Sequence, residues 1–235
     1  MQPISLDTEQ RKKRITFWTI ACIIVHVVYA ISFSFYTMLD LGINIGASEM
    51  PPGHAESAQL VIGLLFLLFT FPLMIVHACI YFFFIFRLWE EIPRNLARTT
   101  PEMAAWLSLI PIFQLYWMFI ALVGLYQDMN KATESSKGGA RFGTTLITTA
   151  CVVWLVSFFF FFILGMAQGV FASVVGVTIF LGIVGFITAL IWYLFTMAML
   201  WIIRRDVCKF IDIKSSIERT CDFSQEPRYS QEPQV

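Results

Sequence analysis

The chain has 235 residues, of which 58% are hydrophobic and 14% charged, and its formal net charge is zero. Residues 142–203 carry no charged side chain, and residues 15–86 hold no Lys or Arg and only three acids. A water-soluble fold must cover its surface with polar groups and cannot accommodate so much apolar sequence. The composition therefore predicts a polytopic membrane protein. The neutral total, with no basic patch, argues against a nucleic-acid partner.

The first part of the chain is predicted to hold two membrane-spanning helices. Residues 1–14 form a polar, cytoplasmic tail, and 15–39 is apolar. A hydrocarbon core of about 30 Å needs about 20 helical residues, so 15–39 is long enough to cross it. It is also longer than the apolar region of a cleavable signal sequence, which has about 7–15 residues, so we expect an uncleaved anchor. Gly and Pro residues predict a loop over 40–59, and 60–86 is the second span, with a kink at Pro72.

A polar connector over 87–101 follows the second span. Glu90 and Arg94 are four residues apart, a spacing that favours an ion pair on an extended helix. Thr99 and Glu102 match the pattern of a capping box, which predicts the start of a new helix at this point.

The uncharged block that begins at residue 142 is too long for a single crossing. Gly165 and Gly169 supply the turn signal nearest to the right depth. The sequence therefore predicts a helical hairpin with spans over 144–164 and 170–203, which completes a membrane domain over 15–203.

Residues 204–235 are predicted to lie in the cytoplasm. The first part has the pattern of a short amphipathic helix, whose apolar side chains, including Phe210 and Ile211, would lie on the membrane surface. The rest is polar and is predicted to be disordered.

Residues 103–126 decide the topology, because they are long enough to span but contain Pro111 and Gln114. If this segment crosses the membrane, seven of the 16 Lys and Arg lie inside and nine outside; if it does not cross, all 16 lie inside. The positive-inside rule thus favours four crossings with both termini cytoplasmic. A broken helix at membrane depth needs protein or water to satisfy its backbone groups. The predicted fold is all-α, with four transmembrane helices and a re-entrant or interfacial segment that is broken at Pro111. The alternative is that residues 103–126 form an ordinary fifth span with a kink.

This segment also carries a resemblance to a known family. It contains Ala97-Arg98-Thr99-Thr100-Pro101, Ala105-Trp106 and Ile110-Pro111-Ile112-Phe113-Gln114-Leu115-Tyr116-Trp117. The pattern resembles uncharacterised bacterial membrane proteins with a domain of unknown function, four predicted spans and an I/V-P-F-x-N-L-W/Y stretch between spans two and three. Gln114 stands where that family has asparagine. The resemblance implies the four-span architecture and a plasma (inner) membrane location, and it implies no activity.

Two histidines, His26 and His77, lie inside predicted spans. A rise of about 1.5 Å per residue puts both at roughly 15–17 Å from the inner surface, on antiparallel neighbouring helices. A membrane-embedded ionisable side chain suggests a functional site, so the pair is a candidate polar site. Facing each other, the rings could be axial ligands of a b-type haem, hold a small metal site or relay protons or ions. The alternative is that each ring bonds a nearby hydroxyl or backbone carbonyl and no cofactor is needed.

No phosphate-binding loop, zinc-protease motif, nucleophile elbow or CxxC pair is present in the sequence, so we expect no catalytic residue, metal or cofactor. The leading hypothesis is a non-catalytic integral membrane protein that packs against lipid, a membrane-protein partner or a second copy of itself. The candidate interaction residues are Pro111, Gln114, Tyr116 and Trp117, and the candidate inner-surface anchors are Arg94, Arg98, Lys131 and Lys137. The alternatives are a small channel or carrier that uses the broken segment, and a haem electron carrier.

Overall fold

The structure, a computed structural model, describes residues 4–46, 54–134, 141–170 and 175–225. Throughout these residues the chain is helical, with short turns and no strand, so the all-α prediction is confirmed. The α-helices are α1 Ile4–Gly46, α2 His54–Leu65, α3 Phe71–Glu90, α4 Pro101–Leu107, α5 Pro111–Met118, α6 Gly124–Glu134, α7 Thr144–Val170 and α8 Val175–Gln225. Two π-helical turns, Phe66–Thr70 and Phe119–Val123, join α2 to α3 and α5 to α6.

Three helical segments in the described part of the chain are long and apolar enough to cross a membrane. They are Asp7–Tyr36, Ser57–Glu90 and Ile179–Glu218, and Thr144–Phe160 in α7 is apolar but shorter. Many large apolar side chains on these helices are exposed, among them Leu67, Leu68 and Phe69. Such extended apolar surfaces are rare on soluble monomers. The helices and their exposed faces indicate a membrane protein.

The buried core lies toward one end of the helix bundle. Helix α1 packs against α3 and α8, α7 packs against α8, and α4 packs against α3. The largest fully buried side chains include Phe84, Leu88, Trp89, Leu122, Leu125, Tyr126, Met129, Ile203, Phe210 and Ile211. These belong to the last turns of α3, to the turn before α6, to α6 itself and to the second half of α8. We call this end of the bundle the core end.

Two helices continue beyond the predicted spans. Helix α1 begins at Ile4 and so includes most of the predicted polar tail, and it ends at Gly46 rather than at residue 39. Helix α7 runs through Gly165 and ends at Val170, so the predicted turn is not there. A glycine inside a helix costs only about 1 kcal/mol relative to alanine, which a long helix tolerates. Residues 171–174, which follow α7, lie outside the described part.

The prediction of a separate amphipathic helix after the last span is wrong. Helix α8 is continuous from Val175 to Gln225, and Phe210 and Ile211 are buried in the core rather than placed on a membrane surface. The reason is the helical spacing of the buried side chains. The intervals between successive members of the set Ile203, Val207, Phe210 and Ile211 are four, three and one residues, which puts all four on one face of α8. The predicted disordered tail lies beyond residue 225, outside the described residues.

Pro72 lies in a continuous helix over 54–90, just after a π-helical turn. The residues flanking this turn, Leu65 and Phe71, have right-handed helical backbone angles. Proline lacks an N–H and its ring clashes with the carbonyl four residues earlier. A π-helical turn changes the local hydrogen-bond register, which lets the helix pass the proline without ending.

The connector between α3 and α4 differs from the prediction in two details. The N-cap of α4 is Thr100, not Thr99, and its Oγ1 accepts a hydrogen bond from the Met103 N–H at 3.2 Å. Glu90 pairs with Arg87 at 2.5 Å rather than with Arg94. Because α3 ends at Glu90, residues beyond it no longer share its helical face.

Candidate functional site

The predicted broken segment consists of two helices that meet at a turn before Pro111. Helix α4 ends at Leu107, and Ile110 has an extended backbone conformation (φ −80°, ψ 112°). Pro111 is the first residue of α5, a position where its missing N–H leaves no hydrogen bond unmade. We call residues 98–128 the hairpin, because α4 and the longer α5–α6 helix are joined by this turn.

The two ends of the hairpin are held together by an ion pair. The Arg98 backbone N–H donates to Asp128 Oδ2 at 3.0 Å, and its guanidinium donates to Asp128 Oδ1 at 2.9 Å. The Asp128 side chain is fully buried, and Lys131 lies 3.8 Å from it. Gly124 permits the close approach, because a Cβ there would lie 3.1 Å from Arg98 Cδ. The hairpin therefore begins and ends at the same place, in the core end.

Further contacts fix the hairpin internally and to the bundle. The Trp117 indole N–H donates to the Ala104 carbonyl at 3.0 Å, which joins α5 to α4. The Trp89 indole N–H of α3 donates to the Ala121 carbonyl at 3.0 Å. These are hydrogen bonds from buried indoles to backbone carbonyls, so they anchor the π-helical turn and both limbs of the hairpin.

A buried pair also joins the hairpin to α8. The Tyr126 hydroxyl donates to Asp206 Oδ2 at 3.1 Å. Burial raises the pKa of the Tyr126 phenol, and the neighbouring Asp206 carboxylate raises it further. The phenol therefore stays protonated and able to donate at neutral pH.

The predicted interaction residues have different environments. Trp117 is buried, whereas Tyr116 is 63% exposed on the outer face of α5, with Trp106 of α4 equally exposed. Pro111 and Gln114 belong to α5, but their side chains are outside the described part of the chain. Each helix of the hairpin thus carries an exposed aromatic side chain, Trp106 on α4 and Tyr116 on α5, and Trp117 joins the two helices.

A cleft of about 750 Å³ opens between residues 89–97 and the hairpin. Its wall includes Arg94, Arg98, Thr99, Thr100, Glu90 and Glu102 on the polar side, and Met103, Trp117, Ile120, Trp89 and Ile92 on the apolar side. Two predicted anchors, Arg94 and Arg98, thus lie on the same cleft. Lys131 is near the hairpin base, and Lys137 lies outside the described residues.

The acid at the start of α4 is tied to the helix cap. The pKa of the Glu102 carboxyl is lowered, first by a hydrogen bond to its own backbone N–H, then by one to the Thr100 side chain, and further by the charge of Arg94. Glu102 therefore stays ionised and complements the helix N-terminus.

A polar network that the sequence did not reveal surrounds the core end. Arg11 of α1 forms an ion pair with Glu91, which follows α3. Lys12 bonds Asp212 of α8 at 2.8 Å, and the Lys214 ammonium donates to the Glu91 carbonyl at 3.1 Å. The start of α1, the end of α3 and the second half of α8 are therefore joined at the same end of the bundle.

The structure brings His26 and His77 together. Nδ1 of His26 lies 2.8 Å from Nε2 of His77, so one ring donates a hydrogen bond to the other, and which one donates depends on their tautomers. His26 is 8% exposed, and its Nε2 has no hydrogen-bond partner among the described residues. The Trp192 and Tyr193 rings of α8 lie 5.8 and 5.7 Å from the His26 ring, between centroids. A groove of about 310 Å³ between α1 and α8 passes this cluster.

The geometry of the histidine pair does not fit a haem between the rings. Histidine–metal bonds are about 2.0–2.1 Å long, so two histidines on opposite sides of one metal need nitrogens about 4 Å apart. The facing nitrogens of His26 and His77 are at hydrogen-bond distance instead.

The three candidate spans and the exposed apolar faces of their helices indicate a helical membrane protein. Comparison of the chain with protein-family models, with curated proteins and with solved structures finds no match. The resemblance of residues 97–117 to bacterial four-span proteins therefore stays a prediction.

Proposed function

We propose that the protein is a non-catalytic integral membrane protein that binds lipid or a membrane-protein partner, including a second copy of itself, through the outer surface of its hairpin. The proposal rests on two features of the hairpin: its two ends are joined by the Arg98–Asp128 ion pair, and two of its aromatic side chains are mostly exposed. Asp128 holds the hairpin ends, while Trp106 and Tyr116 each remain 63% exposed. Rigid, exposed aromatic residues are the side chains most enriched where proteins bind partners or lie at membrane interfaces.

The proposed topology has four crossings, a re-entrant hairpin and both termini in the cytoplasm of a cell bounded by a plasma (inner) membrane. The contact between Lys12 of α1 and Asp212 of α8 supports an even number of crossings, because it joins the two ends of the chain at one end of the bundle. The Arg98–Asp128 pair supports the re-entrant hairpin in the same way. If all 16 Lys and Arg lie at this end, the positive-inside rule makes it the cytoplasmic end.

The test is the assembly state of a variant in which the exposed tyrosine is truncated. Tyr116→Ala should insert and fold like the parent protein, because its ring is mostly outside the core, yet it should weaken self-association or partner capture about tenfold. Size-exclusion chromatography with light scattering and chemical crosslinking in native membranes measure both. The matched control is Phe180→Ala, which removes a ring that is 65% exposed on α8.

Two results would contradict the proposal. One is an unchanged assembly in Tyr116→Ala together with unchanged lipid retention after purification. The other is specific solute flux in liposomes that contain the purified protein, which would favour a channel or carrier instead.

A further inference from the structure

The cleft beside the hairpin is lined by polar residues, which we call its polar wall, and by apolar residues, which we call its apolar wall. The polar wall comes from the connector and from the N-terminus of α4, with Arg94 and Thr99. The apolar wall comes from Met103, which is 53% exposed, from Ile120 and from the ring of Trp117. A molecule that fills this cleft would contact both charged and apolar side chains, which suits a ligand that carries both a charged and an apolar part.

The charges that face the cleft leave one cation with no short-range partner. Glu90 pairs with Arg87, and Arg98 pairs with Asp128. Glu102 lies in the first turn of α4 and forms no salt bridge with any residue that the structure describes. Arg94 is exposed and forms no salt bridge or hydrogen bond with any residue that the structure describes; its charge acts on Glu102 only through space. An anionic group near Arg94 would therefore meet a guanidinium that is free to bind it in a bidentate manner.

We propose that this cleft binds a phospholipid, with the phosphate on Arg94 and the glycerol and first acyl carbons along Met103 and Ile120. The inference rests on the proposed function, because it needs the hairpin to lie at the inner membrane surface. The anionic group is a phosphate, which a free phosphate ion or a lipid headgroup could supply. The apolar wall selects the lipid, since a free ion gains nothing from burying Met103 and Ile120. The neighbouring exposed Trp106 is a side chain typical of the headgroup region.

The experiment is native mass spectrometry of the full-length protein, released from detergent and titrated with defined lipids. The probes are phosphatidylethanolamine, a diacylglycerol with the same acyl chains, and inorganic phosphate as a competitor. We expect phosphatidylethanolamine to bind at least tenfold more tightly than the diacylglycerol. Arg94→Gln should weaken its binding at least fivefold, and Met103→Gln should weaken it about twofold to threefold. The matched control, Arg141→Gln, changes an exposed arginine outside the cleft and should have no effect.

Each contrary outcome has a defined meaning. Equal binding of the two lipids, or parent-like binding by Arg94→Gln, overturns the headgroup site. Displacement of the lipid by millimolar inorganic phosphate reassigns the site to a free ion and overturns the lipid proposal. If Tyr116→Ala loses assembly while Arg94→Gln binds lipid normally, only the headgroup inference fails. If Arg94→Gln loses lipid binding but Tyr116→Ala assembles normally, the headgroup site stands and the partner surface fails.

Discussion

At the scale of single residues, the hydrogen bond between His26 and His77 is the membrane-embedded contact with the most direct test. Water is scarce at this depth, so a ring that loses its partner finds no replacement. We expect His26→Leu and His77→Leu each to lower the free energy of unfolding by about 1–3 kcal/mol, because each leaves the other imidazole, buried for His26 and half-buried for His77, without its partner. The double variant should cost little more than either single variant, since it leaves no unpaired ring. Unfolding in mixed detergent micelles, as a double-mutant cycle, measures the coupling.

The control for this cycle is His54→Leu, which changes a histidine that is exposed at the start of α2. It should leave the unfolding free energy within about 0.5 kcal/mol of the parent value. Additive losses in the double variant would mean that the two rings do not depend on each other, and the hydrogen bond would then contribute nothing to stability.

At the scale of elements, the Arg98–Asp128 pair decides whether the hairpin behaves as one unit. Arg98→Ala leaves the carboxylate of Asp128 buried without its main cation. Breaking a fully buried pair costs about 3–5 kcal/mol, but the Arg98 side chain is 36% exposed, so we expect about 1–3 kcal/mol. The hairpin should also open locally, which limited proteolysis at the turn over 108–110 would detect as faster cleavage.

Lys131→Ala is the matched comparison, because Lys131 reaches the same carboxylate from the next turn of α6. Its ammonium lies 3.8 Å from Asp128 and its side chain is 57% exposed, so its removal should cost less than about 1 kcal/mol. Equal losses in the two variants would show that Asp128 responds to the total nearby charge rather than to the bidentate contact with Arg98.

The same elements show what the sequence could and could not predict. The proximity of His26 and His77 followed from helix rise and from the antiparallel order of two apolar spans, both of which are properties of local sequence. The continuity of α8 could also have been predicted, because Ile203, Val207 and Phe210 keep one helical face across the arginines. The pairing of Arg98 with Asp128 could not, since the partners are 30 residues apart and Asp128 lies in a polar stretch that resembles a solvated loop.

At the scale of the whole molecule, the core end contains ion pairs between elements that are far apart in the chain. Lys12, Glu91, Asp128 and Asp212 come from α1, the α3–α4 connector, α6 and α8. Whether such long-range ion pairs form depends on how the helices pack against one another. Sequence patterns predict the helices themselves, but not which charged residues on different helices will pair. The charge distribution along the chain favours a similar grouping, because the positive-inside rule favours an arrangement in which all basic residues share a side.

The membrane topology is therefore the prediction that tests the whole arrangement. The test uses four single-cysteine variants in a background without native cysteines. Each variant reports the side of the membrane on which one region of the chain lies: Thr8→Cys, Ser57→Cys, Lys131→Cys and Glu218→Cys. With four crossings, a membrane-impermeant maleimide added to intact cells should label only Ser57→Cys, and the other three should react only after permeabilisation. All four positions lie near helix ends, so that labelling depends on their side of the membrane.

A fifth crossing through residues 103–126 predicts a different labelling pattern. Lys131→Cys and Glu218→Cys would then react from outside, together with Ser57→Cys, and only Thr8→Cys would stay protected. That result would separate Lys12 from Asp212 by the thickness of the bilayer, about 30 Å, although their side chains are 2.8 Å apart. The contact favours the four-crossing pattern over the five-crossing one, because a charged pair at this distance requires both of its residues to lie on one side of the membrane.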